Sequence, residues 1–159
     1  MEVTAVYPGS FDPPTNGHLD IVERALTVFP RIIVAVVSNP SKETLFSLEE
    51  RIDMLESLYA EDDRIEVSGY EGLLVDFVKE KKAKAILRGL RAVSDFEYEF
   101  QMALMNRRLQ PEINSVYLMP SLEYEYLSSS LVKEVFRLGG DVKGLIPPNV
   151  EKYLEKKFK

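Results

Sequence analysis

A chain of 159 residues with a net charge of −6 fits one domain with one core, and it lacks the basic face that a nucleic acid or an anionic membrane rewards. It has no cysteine, which excludes a disulfide framework and thiolate chemistry, and its apolar runs, such as residues 32–37, are far short of a membrane span. No basic segment followed by an apolar one opens the chain, so a cytoplasmic protein is expected, and the single histidine with abundant Lys and Glu leans towards a heat-adapted source.

The elements alternate. Val3 to Tyr7 reads as a strand, and His18 to Phe29 as a helix with Leu19, Val22, Leu26 and Phe29 on one face and Pro30 as its stop. Ile32 to Val37 is continuously apolar, as a strand covered on both faces should be. Ser47 and Glu50 form a capping box for a helix presenting Leu48, Ile52, Leu55 and Tyr59. Ile65 to Val67 reads as a strand, Leu73 to Lys81 as a helix and Ala85 to Leu87 as a strand. Ser94 and Glu97 form a second capping box, opening a long helix to about Leu109. Ser115 to Met119 is the fifth strand. A helix from Ser129 to Leu138 stops at Gly139 and Gly140, and Pro147 and Pro148 open a terminal helix. Five strands alternating with helices predict an α/β fold, a doubly wound parallel sheet whose ligands bind beyond the carboxyl ends of its strands.

The loops after the strands therefore carry the chemistry. After strand one comes Tyr7-Pro8-Gly9-Ser10-Phe11-Asp12-Pro13-Pro14-Thr15-Asn16-Gly17-His18, which is neither a Walker A loop nor a Gly-x-Gly-x-x-Gly loop. It offers a helix N-terminus, a glycine that lets an anion approach, and His18 at the start of the helix. A histidine alone reads as a surface or capping residue, while Gly17 and the position after strand one favour the anion contact. After strand two, Lys42 is either a phosphate ligand or a solvated charge. After strand four, Arg88 and Arg91 flank Gly89 and Leu90; they suit bidentate phosphate contacts, or bridge to acidic helices. After strand five, Ser128, Ser129 and Ser130 make a helix cap, an anion site, or both. All these groups fall at one end of the predicted sheet. In an acidic chain, that cationic rim points to a polyanionic small ligand.

The residue types limit the reaction. With no cysteine, one histidine, no nucleophile elbow and no metal-ligand spacing, the site offers positioning and charge stabilisation without a covalent step. That suits direct phosphoryl or nucleotidyl transfer, with any Mg²⁺ held chiefly by a triphosphate.

Two stretches then resemble known motifs. Thr15-Asn16-Gly17-His18 is similar to the T/H-x-G-H motif of the nucleotidyltransferase superfamily, and Leu127-Ser128-Ser129-Ser130-Leu131-Val132-Lys133 to its I-S-S-S-x-x-K motif, with Leu for Ile. The segment Ile86 to Glu99, Leu-Arg-Gly-Leu-Arg-Ala-Val-Ser-Asp-Phe-Glu-Tyr-Glu after Ile86, resembles the signature of the bacterial phosphopantetheine adenylyltransferases, and so does Tyr7 to Pro13. The resemblance implies a single Rossmann-like domain over residues 1–159 that takes ATP and 4′-phosphopantetheine to dephospho-coenzyme A and pyrophosphate. It implies Ser10 as a contact to both substrates, and Phe11 and His18 as ATP contacts, with His18 stabilising the transition state. It implies Lys42 and Arg88 on the acceptor phosphate and Leu74 on the pantetheine arm, where helical spacing alone makes Leu74 ordinary core. Gly89, Leu90, Arg91, Glu99, Tyr124, Glu125, Tyr126, Leu127, Ser128, Ser129 and Ser130 are implied at the nucleotide site. Glu99 otherwise reads as a solvated acid near a helix start. Mg²⁺ carried by ATP, a cytoplasmic hexamer and feedback by coenzyme A are implied as well, with no nucleic-acid or membrane partner. The rival readings are a sister enzyme using nicotinamide mononucleotide or a cytidylyl donor, and a silent nucleotide sensor.

Overall fold

The computed structural model describes residues 2–91 and 93–159, the side chains of Val93 and Ser94 excepted. The capping box expected at Ser94 therefore lies outside the described residues. Strands β1 (Thr4–Gly9), β2 (Arg31–Val37), β3 (Ile65–Tyr70), β4 (Ala85–Gly89) and β5 (Asn114–Leu118) form, among the described residues, one five-stranded sheet in the order β3-β2-β1-β4-β5. Every pairing is parallel. The chain winds outward from β1 in one direction and then from β4 in the other. The crevice between these two strands is thus the switch point at which such sheets bind ligands.

Side-chain alternation divides the core in two. Ala5, Tyr7, Ile32, Val34, Val36 and Leu87 face helix α1 (Asn16–Ala25) and Leu55 of helix α2 (Leu48–Tyr59). Val6, Ile33, Ala35 and Ile86 face helix α3 (Leu74–Glu80) through Val75, Phe77 and Val78. Helix α4 (Val93–Leu109) precedes β5, and helices α5 (Ser129–Arg137) and α6 (Pro148–Lys157) close the chain. A third cluster joins Phe46, Met54, Leu127, Val132, Ile146, Val150 and Leu154, packing the end of the β2–α2 loop against α5 and α6. Among the described residues no helix is long and apolar enough to cross a membrane.

The main differences from the sequence reading have local causes. Helix α1 starts two residues before His18, because Thr15 is the cap and His18 the third helical residue. It stops at Ala25, four residues short of Phe29. The β-branched pair Thr27 and Val28 precedes Pro30, and the Thr27 hydroxyl donates to the Arg24 carbonyl at 2.7 Å, which draws the chain out of the helix. Phe29 still reaches the core and is buried. Strand β3 runs three residues beyond Val67, since pairing with β2 from Ile32↔Ile65 to Val37↔Tyr70 overrides the weak propensity of Ser68 and Gly69. Arg88 and Gly89 belong to β4 itself. Helix α5 ends where expected, with Gly139 at φ 83° and the Gly140 N–H donating back to the Val135 carbonyl.

Candidate active site

Two clefts open at the carboxyl end of the sheet. The first, of about 260 Å³, lies over α1 and is lined by Phe11, Gly17, His18, Arg91, Tyr124 and Leu127 to Ser130, among others. The second, of about 470 Å³, runs towards α3 and α4 past Tyr70, Leu74, Glu99, Asn106 and Tyr117. Pro8, Gly9, Ser10, Lys42 and Arg88 line both. The clefts therefore meet along a seam in which two cations face a hydroxyl, with Lys42 Nζ 3.1 Å from Ser10 Oγ. An apolar hollow of about 360 Å³ adjoins the first cleft through Arg91 and Pro120, and is walled by Leu90, Phe96, Met119, Leu122 and Glu125.

The β1–α1 loop builds the floor. Phe11 takes a left-handed φ of 48° and folds its ring back over Gly9, where a Cβ would meet the ring at 3.1 Å. This close approach is why the residue before Ser10 has no side chain. The Phe11 ring meets His18 edge-on at 4.8 Å between centroids. His18 is held from the other side by the helix cap. The Thr15 N–H donates to His18 Nδ1 at 2.9 Å, and the Thr15 hydroxyl accepts from the His18 N–H, which completes a capping box. A ring whose Nδ1 accepts carries its proton on Nε2. Thus Nδ1 serves the helix cap, and the Nε2–H is left to the cleft that His18 lines.

Burial lowers the His18 pKa to about 4, and the positive charges of Arg91 and Arg88 push it the same way. The imidazole is therefore a neutral Nε2–H donor at neutral pH. Because His18 is the chain's one histidine, its resonances need no assignment. Nitrogen-detected NMR of the free protein should show the Nε2–H tautomer and no titration from pH 8 down to about 5. A midpoint near 6.5 would contradict this geometry. The sign for stability follows: the unfolded chain binds the proton first, so the contribution of a neutral His18 is full above about pH 6.5 and falls as pH drops towards 4.

Both arginines pair with acids of α4 and still line the clefts. Arg88 Nε and Nη2 grip Glu99 at 2.6–3.1 Å, and Nη1 donates to the Pro8 carbonyl at 3.3 Å. Burial opposes the charge on Arg88, but the Glu99 hydrogen bonds and carboxylate hold its pKa above the ordinary value. Glu99 is not the solvated acid its position suggests; it is 7% exposed and sits under Arg88 at the second cleft. Its main-chain carbonyl also accepts from the Tyr117 hydroxyl at 2.8 Å. Arg91 donates to the Leu127 carbonyl at 2.8 Å and pairs with Asp95, linking the loops after β4 and β5.

The three serines divide their work. Ser128 is the cap of α5, accepting from the Leu131 N–H at 3.1 Å. The Ser129 hydroxyl donates to the Pro13 carbonyl at 2.7 Å, a tie to the β1–α1 loop that removes it from the donors facing the cleft. Ser130 is exposed at the cleft. The start of α5, where helix N–H groups lack intrahelical partners, lies in the same place. Leu74, the first residue of α3, lines the second cleft. Tyr124 borders the first cleft and Glu125 the apolar hollow, whereas Tyr126 is 63% exposed and is not drawn into these linings.

Sequence reasoning missed the groups that hold this arrangement. Asp12 is 4% exposed and accepts from the Leu45 and Phe46 N–H groups and from Lys133 Nζ, at 2.9, 2.9 and 2.8 Å. It joins three segments around the seam. Asp20 accepts from the Ser121 N–H and hydroxyl and pairs with Arg24, fixing α1 to the loop after β5. Asp12 and Lys133 each fall inside a quoted motif, Tyr7 to Pro13 and Leu127 to Lys133, but neither is singled out there.

A parallel sheet whose switch point carries a cationic, hydroxyl-rich seam and a helix-borne neutral imidazole is the apparatus of nucleotidyl transfer. The sequence profile of the cytidylyltransferase-like family matches residues 6–135. The phosphopantetheine adenylyltransferase of Desulfatibacillum aliphaticivorans is 57% identical over 159 residues, 100% of this chain and 91% of the relative. That of Moorella thermoacetica is 51% identical over 154 residues, 97% of this chain and 96% of the relative. The chain belongs to the phosphopantetheine adenylyltransferase family, within the cytidylyltransferase-like proteins. A candidate nicotinate-nucleotide adenylyltransferase from Vibrio parahaemolyticus shares the fold, with a TM-score of 0.74 at 14% identity over 98% of this chain and 99% of that one.

Proposed function

We propose that this chain transfers AMP from ATP to 4′-phosphopantetheine by direct in-line attack, giving dephospho-coenzyme A and pyrophosphate. The observation that carries the reading is the shared seam: a cleft at a helix N-terminus and a longer, partly apolar cleft meet at Ser10, Lys42 and Arg88. ATP lies in the first, with its phosphates over the α1 and α5 N-termini and its base towards the hollow beside Leu90 and Pro120. The pantetheine arm lies along Leu74 in the second, with its phosphate on Lys42 and Arg88. An oxygen of that phosphate forms a bond to the α-phosphorus while the bond to the β-phosphate oxygen breaks and pyrophosphate leaves. No base is needed, because the nucleophile already carries charge. The Nε2–H of His18 donates to an α-phosphate oxygen as charge accumulates there.

Among the described residues no three His or carboxylate groups cluster as metal ligands. The cations Lys42, Arg88 and Arg91 suit phosphates and would repel a metal, so a Mg²⁺ would arrive on the triphosphate and meet the protein only through neutral oxygens such as that of Ser130. Bound in this way the ion would neutralise charge on the phosphates. Coenzyme A carries the same arm, and the second cleft is its place for feedback binding. A cytoplasmic homo-oligomer, a hexamer by family likeness, fits α4, whose Phe96, Tyr98, Phe100, Leu104 and Met105 are each more than half exposed.

Pyrophosphate release from ATP with 4′-phosphopantetheine, compared against nicotinamide mononucleotide and against CTP as donor, tests the reaction. Release with either alternative but not with the proposed pair would overturn it. Lys42 tests the acceptor end. It is exposed on a loop, so Lys42→Ala should leave stability within about 0.5 kcal/mol. It should raise the KM for 4′-phosphopantetheine about 10–100-fold, the equivalent of a charge-assisted hydrogen bond worth roughly 1.5–3 kcal/mol. Unchanged acceptor kinetics would return Lys42 to the solvated-charge reading.

A further inference from the structure

We infer that Arg51 is a positioning residue for the acceptor phosphate, acting through Ser10 and the Lys42 loop without touching substrate. The inference rests on the assignment of that seam to the acceptor. Arg51 lies in the first turn of α2 and is 4% exposed. Its Nη1 donates to the carbonyls of Ser10 at 2.7 Å and Val37 at 3.0 Å, and its Nε to that of Ser47 at 3.2 Å. None of these acceptors is a carboxylate; Asp12 and Glu49 favour the charge of Arg51 electrostatically, without an ion pair to it among the described residues.

Burying a guanidinium on neutral partners is a poor route to stability, since well-packed apolar side chains of similar volume usually do as well or better. The identity of the three carbonyls gives the arrangement its meaning. Val37 is the last residue of β2 and Ser47 the cap of α2, so they are the two ends of the loop that carries Lys42. Ser10 is the residue whose hydroxyl Lys42 meets across the seam. One planar fork therefore fixes both ends of the Lys42 loop and the main chain of its partner. Lysine presents its three donors from one nitrogen and lacks the separation between Nε and Nη1 that reaches Ser47 and the Ser10–Val37 pair together.

The test compares Arg51→Lys, which keeps the charge and loses the fork, with Arg51→Met, which keeps length and loses both. Steady-state kinetics should show the KM for 4′-phosphopantetheine rising at least tenfold in Arg51→Met and by less in Arg51→Lys. The KM for ATP should rise less than that for the acceptor, since of the groups Arg51 holds only Ser10 is assigned to both substrates. Combining Arg51→Met with Lys42→Ala should add little to the acceptor effect of Lys42→Ala alone, because both act on one contact. Amide hydrogen exchange, which needs no substrate, should quicken at least tenfold across residues 38–46 in Arg51→Lys and stay unchanged in α6. A wild-type protein that does not use 4′-phosphopantetheine would sink the functional reading while the exchange result still judges Arg51. Equal rises in both KM values, additive double-variant effects, or unchanged exchange in the loop would each overturn the inference and leave Arg51 as an ordinary core tie.

Discussion

Replacing His18 with alanine should lower kcat by about 10²–10³, the usual cost of one preorganised donor to a developing oxyanion, or roughly 2.7–4 kcal/mol. The geometry makes this residue hard to substitute. Its Nδ1 is occupied by the Thr15 N–H, Phe11 backs the ring, and burial keeps it neutral, so Nε2–H is presented at a fixed angle in a single tautomer. Donation from a neutral ring favours the transition state over the ground state only to the extent that charge moves onto the oxygen it faces. Calorimetric affinities for ATP and 4′-phosphopantetheine should accordingly remain near those of the wild type. A second, smaller effect comes with the first. His18 is half of a capping box, so alanine also removes a cap interaction worth about 1 kcal/mol, seen as a small drop in Tm. His18→Gln keeps an acceptor for the Thr15 N–H and an N–H for the cleft, and should recover part of both losses. A fall in kcat of less than about tenfold, or 1.4 kcal/mol, would exclude the transition-state role. A loss confined to ATP affinity would make His18 a plain ligand contact.

The largest effect on stability is expected at Asp12. Its carboxylate is buried, accepts two main-chain N–H groups and pairs with Lys133 Nζ. Asp12→Ala strands a largely buried ammonium and two donors at once. Breaking a buried pair by removing one partner typically costs about 3–5 kcal/mol. For a chain of this size that corresponds to roughly 6–20 °C in Tm, at 2–4 °C per kcal/mol. Thermal unfolding measures it directly. The companion variant Lys133→Met should recover part of the loss in the Asp12→Ala background, because it removes the stranded charge. If Asp12→Ala unfolds within about 2 °C of the wild type, the buried network contributes little and the seam must be held by packing alone.

The contrast between these two residues shows what a sequence can and cannot reveal. His18 was visible because it follows a strand, a glycine and a helix start, and such local features survive in one dimension. Lys42, Arg91 and the serines are visible for the same reason, since a parallel sheet brings every post-strand loop to one edge, and Arg88 sits one residue from the end of β4 at that edge. The partners of Asp12 come from residues 33, 34 and 121 positions away in sequence, and no local pattern announces them. Arg51 falls on a helix whose apolar spacing gives no hint that a charge lies inside. Glu99 falls on α4 as expected, but its helical position alone reads as solvated, because its burial depends on Arg88 reaching across from β4. The three serines looked equivalent, and only the position of Pro13 distinguishes the one that ties from the one that faces the cleft. Strand β3 extends past its sequence signal because pairing with β2 outweighs the composition of its last residues.

The third core cluster gives the carboxyl terminus a stake in substrate grip. Phe46 ends the loop that bears Lys42, is fully buried, and packs in the same cluster as Val132, Val150 and Leu154. The last helix is thus a buttress for a loop more than a hundred residues earlier, although it contributes no group to either cleft. Drift in residues near position 154, far from any phosphate, is constrained by the same requirement that constrains the binding loop. For anyone appending a domain or a tag, the junction belongs beyond Phe158, where the chain has already left that cluster.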